Sequence, residues 1–184
     1  VVGAFSNWRN DSDRWGVTDE EVARTFPCDQ ILPGARSRLW RGVSVDVPPN
    51  RLWPWLIQIR LAPYSYDWID NGGRRSPRAL RGLPDPVPGE TFTAALGRPL
   101  GRVLSVTPGR QLTGRIGEVV MSYLLEPDGD GTRLLLKIAS PWGWPLAPLL
   151  SVGDLVMARR QLLNFKRLAE RDDHFAARAG GEAS

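Results

Sequence analysis

Between Trp53 and Arg78 the chain gathers five aromatic residues, two carboxylates and four arginines around Pro63. Rings beside fixed charge suit the wall of a small-molecule pocket, apolar on one side with a few orienting polar groups. The hydroxyls of Tyr64 and Tyr66 can donate to a ligand carbonyl, and an arginine can hold a carboxylate or phosphate bidentately. Asp67 beside the tyrosines can serve as a general base if burial tunes its pKa, which would make Tyr66 and Asp67 the catalytic pair of an enzyme. The same residues can also be structural, with Asp67 and Asp70 capping turns and pairing with Arg74, Arg75 or Arg78. The reading adopted gives Asp70 and the arginines to structure. Tyr64, Tyr66, Trp68 and Asp67 go to a pocket.

Other chemistry finds little support. His174 is the sole histidine and lies in a charged stretch beside Asp172 and Asp173, so a surface position is expected. No G-x-S-x-G elbow exists to place a serine nucleophile. Cys28, between Pro27 and Asp29, reads as an ordinary thiol in a turn, without a cationic neighbour in sequence to activate it. Gly72-Gly73 and Gly180-Gly181 lack the lysine and the strand-to-helix setting of a phosphate loop, so no cofactor is expected. Asp67 with Asp70 makes a weak hard-cation site at best, and Asp128-Gly129-Asp130-Gly131 lacks the closing glutamate of a calcium loop. No metal is expected.

The 184 residues suffice for one domain that buries a core and keeps a cavity. At 42% hydrophobic and 24% charged residues the chain is not disordered. One cysteine excludes an internal disulfide framework, so a reducing cytoplasm is the default location. No signal-like sequence opens the chain, and an integral membrane segment is not expected. The charge of +4 and pI near 9.8 hint at nucleic acid. Only Lys137 and Lys166 are lysines, however, and the arginines are scattered from Arg9 to Arg178 without a recognised motif. Nucleic acid is therefore not an expected partner, and oligomeric state is left open.

Periodicity supplies the elements. Residues 1–14 read as an arm, 15–175 as one domain and 176–184 as a disordered tail. Thr18 to Glu21 forms a capping box for a helix over 19–25. Arg36 to Val47 alternates as a strand. Pro48-Pro49 ends it and starts a short helix carrying Trp53, Leu56 and Ile57, with Pro54 expected in its first turn. Residues 63–89 are mostly loop. Strands follow at 91–96, 102–107, 111–113, 117–126 and 132–140, the last two joined by a turn at 128–131. Pro141 to Leu150, with its two tryptophans, reads as a loop packed on the core, with a hydrophobic lid or a membrane contact as the alternatives. Ser151-x-x-Asp154 then caps a helix with an apolar stripe of Leu155, Ala158, Leu162, Phe165 and Ala169. This α+β order requires the sheet to cover its apolar face with that helix, and a strongly twisted sheet leaves a gap beneath it. Glu118, Tyr123 and Arg133 are strand candidates for lining that gap, because alternate residues share a face.

W-P-W-L-I-Q preceded by V-D-V-P-P, then Y-S-Y-D-W-I-D, resembles a bacterial branch of the START-like superfamily, the polyketide cyclase, dehydratase and lipid-transport group also called SRPBCC. T-R-L-L-L-K at 132–137 and the run from Asp154 to Glu170 resemble that branch's last strand and C-terminal helix. The likeness spans roughly Trp15 to Glu170. It implies a helix-grip fold, an antiparallel twisted sheet wrapped around the long C-terminal helix, with an internal cavity. The partner would be a hydrophobic small molecule, lipid- or polyketide-like, held by a carrier, sensor or chaperone. Tyr64, Tyr66, Trp68, Glu118, Tyr123, Arg133, Leu155, Leu162 and Phe165 are the candidate binding residues. A cyclase or dehydratase using the same cavity is the first alternative, and a protein-interaction module the second.

Overall fold

The structure, a computed structural model, describes residues 13–65, 75–143 and 147–181, with the side chains of 157–175 in the last stretch. Its elements are β1 (Arg14–Trp15), α1 (Asp19–Ala23), α2 (Pro27–Ile31), β2 (Ser37–Val45), α3 (Pro49–Ile57), β3 (Thr91–Ala95), β4 (Arg98–Thr107), β5 (Gln111–Ile116), β6 (Val119–Asp128), β7 (Gly131–Ser140) and α4 (Ala147–Gly181). A single 3-10 turn, Gln58–Arg60, follows α3.

The strands form one sheet in the order β1-β2-β7-β6-β5-β4-β3. β3 to β7 are an antiparallel meander, and β2 closes on β7 from Ser37↔Ser140 to Val45↔Thr132. Each face is covered by helices, which explains the unbroken Leu134-Leu135-Leu136 run in β7. Leu134, Leu136 and Ile138 join the main core beneath α3 and α4, while Leu135 and Ala139 face a smaller core with Phe26, Cys28, Ala35 and Val120. The first is called the inner face below, the second the outer.

Thr18 and Glu21 close the capping box, with Glu21 N–H donating to Thr18 Oγ1 at 3.2 Å and Thr18 N–H to Glu21 Oε2 at 2.8 Å. α2 is a helix where a turn was expected: Pro27 occupies its first position and Asp29 Oδ2 accepts from Phe26 N–H. Cys28 thereby lies in a helix rather than a turn, and is fully buried. In α3, Pro54 lies inside the helix instead of its first turn. Burial of Leu52, Trp53, Trp55, Leu56 and Ile57 around it offsets the lost backbone hydrogen bond. α4 begins at Ala147, ahead of the expected cap at Ser151, and runs to Gly181, past the expected tail boundary. Three prolines obscured that start: Pro141 and Pro145 precede it, and Pro148 is tolerated in the helix's first turn.

Candidate functional site

A pocket of about 120 Å³ lies between the inner face of the sheet and α4. Phe92 of β3, Ile116 of β5, Met121 and Tyr123 of β6, and Leu136 and Ile138 of β7 supply its floor. Met157, Ala158 and Gln161 of α4 supply the roof, and Ile59, Pro63, Ser65 and Thr93 one side. The floor follows from strand alternation, which turns residues 121 and 123, and 136 and 138, to one face. Gly114 is part of the same design. A Cβ there would fall 2.0 Å from Phe92 Cδ2, so the ring rests against bare backbone.

The polar groups of the pocket are bonded. The Tyr123 hydroxyl donates to Gln161 Oε1 at 2.5 Å, and Gln161 Nε2 donates to the Pro63 carbonyl. Thr93 Oγ1 donates to the Ile59 carbonyl at 2.9 Å. Asn164 Nδ2 donates to the Tyr64 carbonyl at 2.7 Å, fastening the same segment one turn further along α4. The arrangement can hold a small apolar molecule and offer it a hydroxyl and an amide that exchange partners locally.

The candidate residues distribute unevenly around this pocket. Tyr123 lines it. Tyr64 is buried behind it: its hydroxyl accepts from Gln58 Nε2 at 2.9 Å and its ring tilts against Phe165 at 5.3 Å. Its φ of 57° is unusual for a bulky residue, and such strain persists only where surrounding contacts over-determine the conformation. Leu162 and Phe165 are fully buried in the core rather than on the pocket wall, because sheet and helix close together beyond Gln161. Glu118 is exposed in the β5–β6 turn, a position strand alternation does not reach. Arg133 points to the outer face, where Nε meets Glu21 Oε1 at 2.7 Å. Its neighbours Leu134 and Leu136 take the inner positions. Tyr66, Asp67, Trp68, Asp70, Arg74 and Trp144, and the side chain of Leu155, lie outside the described residues.

Gln161 was missed in the sequence. Its signal is a polar residue three positions after Ala158 and four before Phe165, inside an apolar helical stripe. His174 is exposed on α4, as expected.

The outer face holds a second polar cluster. The Lys137 ammonium, 4% exposed, meets Asp29 Oδ2 at 2.7 Å and lies over the rings of Phe26 and Trp40 at 5.3 and 4.9 Å. Beside it Cys28 N–H donates to Ser122 Oγ at 2.9 Å, and Ser122 Oγ shares a hydrogen bond with Thr113 Oγ1. β7 thus brings a cation toward Cys28 that sequence proximity did not show. Burial nevertheless dominates and pushes the thiol pKa up, so Cys28 is an inert core residue. Among the described residues no group of three or more His, Cys, Asp or Glu could hold a metal ion, and no helix is long and apolar enough to cross a membrane.

No family model and no curated protein sequence matches the chain. Solved structures do. Protein NE0264 from Nitrosomonas europaea is similar over 76% of this chain and 97% of its own, at 16% identity and a TM-score of 0.51. MLL2253 from Mesorhizobium loti is similar over 73% of this chain and 97% of its own, at 20% identity and a TM-score of 0.50. The Polyketide_cyc-like protein Cgl2372 from Corynebacterium glutamicum superposes at 0.48, with 18% identity over 73% of this chain and 92% of its own. At these identities the likeness is one of architecture: NE0264 and MLL2253 share this chain's α+β helix-grip fold, an antiparallel sheet closed over a long C-terminal helix.

Proposed function

We propose that the protein binds a small hydrophobic molecule between the sheet and α4, as a carrier, sensor or chaperone. The observation that carries the reading is the apolar pocket with one hydrogen-bonded pair, Tyr123 and Gln161, at its edge. The helix-grip fold supports it, because a twisted sheet closing on one helix leaves such a gap. Size narrows the ligand. About 120 Å³ is below the ~300–1,000 Å³ of drug-sized sites and close to the ~150 Å³ that accepts benzene. The pocket therefore suits one ring, or the end of a longer apolar chain.

Native mass spectrometry of gently isolated protein tests this directly, with titration of a single-ring probe such as indole alongside. Ala158→Phe fills the roof of the pocket and should abolish both the co-purified mass and probe binding while the protein stays folded. Absence of a bound mass together with probe binding insensitive to Ala158→Phe would sink the reading. Appearance of a converted molecule would replace binding by turnover.

A further inference from the structure

We propose that the tip of the β3–β4 hairpin is a membrane-docking element that places Leu96 and Leu100 in the interface of an anionic bilayer. The hairpin projects. Arg102 lies five positions from the turn at Gly97, but its partner Arg115 lies only two positions from the next turn at Gly117. The hairpin therefore overhangs β5 by about three residues, or ~10 Å at 3.3 Å per residue. That length matches the ~5–10 Å to which peripheral elements sink into the headgroup and acyl boundary.

The tip carries features that folding alone does not explain. Leu96 is 61% exposed and Leu100 40% exposed. Leu96 also has φ 52°, and Gly97 φ 74°, the double positive φ of a two-residue type I′ hairpin turn. Asparagine is the favoured first residue of that turn, and a leucine there adds backbone strain. An apolar side chain thus occupies a strained position and buries little within the chain. Arg98 flanks the turn, and Arg102 and Arg115 lie side by side at the base of the overhang, all exposed and without an ion pair among the described residues. Glu118 is the acid in the adjoining turn. Arginines alone would be ordinary protection of a sheet edge, but an exposed leucine at the tip invites the association such charges prevent.

The occupant follows from shape and charge. A second copy of the chain meeting this tip symmetrically would bring arginine against arginine. A folded protein partner needs roughly 800 Å² on each side for a stable contact, more than a two-residue tip presents. A lipid surface needs only an apolar point to insert and anionic headgroups for the guanidinium groups. Vesicle sedimentation at low salt tests the assignment, using phosphatidylcholine alone and phosphatidylcholine mixed with phosphatidylglycerol. Wild-type protein should pellet with the anionic vesicles, stay in solution with the neutral ones, and be released as salt rises. Leu96→Asp with Leu100→Asp keeps every arginine and should lower the bound fraction at least about tenfold. Leu96→Asn should reduce binding while raising Tm by about 2–4 °C, because the turn is relieved. Failure of the wild type to pellet would overturn the proposal. So would pelleting unchanged in the double aspartate variant, which would assign binding to the overall positive charge. Self-association that the double variant abolishes, without vesicle binding, would give the tip to a second copy instead.

Discussion

The hydroxyl of Tyr123 and the side-chain amide of Gln161 meet across the gap between β6 and α4, and the amide passes the contact on to the carbonyl of Pro63. Three segments far apart in sequence are thereby held at one edge of the pocket. Two buried side chains carry the connection, so either one can be removed to measure it.

Tyr123→Phe should lower stability by about 1–3 kcal/mol, since Gln161 Oε1 loses its donor in a buried setting. A cycle with Gln161→Leu, followed by urea unfolding, should give a coupling of about 0.5–1.5 kcal/mol. Strictly additive losses would show that the two side chains are stabilised independently.

Gly114→Ala should cost about 1–3 kcal/mol, because the new methyl must displace the Phe92 ring from the sheet. The ring can retreat only by shifting within the pocket it lines. Probe affinity should fall together with stability, and Phe92→Leu in the same chain should restore part of the stability. A crystal structure of the alanine variant with Phe92 unmoved would refute this account.

The ion pair of Asp29 with Lys137 offers a sharper contrast. Asp29→Asn keeps an acceptor for Phe26 N–H but leaves the buried ammonium uncompensated, and should cost about 3–5 kcal/mol. Lys137→Met added to Asp29→Asn should recover most of that loss, since a methionine fits between the rings of Phe26 and Trp40. Denaturant midpoints of the three proteins decide it. A double variant no more stable than the single one would mean that the charge itself is not what matters.

Acid should loosen the outer helical layer first. The Arg133 guanidinium holds Glu21 below its usual carboxylate range, despite the opposing effect of burial. For Asp29 burial pushes the pKa up, but the Lys137 ammonium, the Phe26 N–H and Arg38 together bring it below the usual value. A carboxylate with a folded pKa below its unfolded one contributes stability in full above the unfolded value, about pH 4, and loses it as pH falls through the folded value. Stability from these groups should be level between about pH 6 and 8 and decline below about pH 4.5. Glu21→Gln should be weaker at neutral pH and show a shallower acid decline. An acid profile parallel to wild type would refute the assignment to Glu21.

The strands and the helix stripe were legible from alternation in 36–47, from a β-prone run bounded by turn residues at 132–140, and from three-and-four spacing from Ala158 to Ala169. The turn at Asp128–Gly131 was legible from its glycines, and Gly129 indeed has φ 57°. α2 was not, because five residues give a period little room and Pro27 reads equally as a turn. The face of each strand was the larger gap. With both faces of β7 covered, Arg133 and Leu134 carry no internal sign of which points inward. The pocket's polar pair needed the tertiary structure, since Gln161 becomes a site residue only when α4 sits over Tyr123.

The closing of β2 onto β7 has a consequence for how the chain acquires its shape. Ser37 pairs with Ser140 and Val45 with Thr132, whereas every pairing in the meander joins neighbours in sequence. The meander can zip turn by turn, but β2 must wait with an unpaired edge until the last strand exists. On a ribosome that wait spans the synthesis of nearly the whole domain. The seam between β2 and β7 is therefore the step at which folding rate is set and at which a newly made chain is open to aggregation. Val43→Ala in β2 should then slow refolding more than it speeds unfolding, because a contact made at the barrier is felt in the folding rate. The reverse partition would place the seam after the barrier.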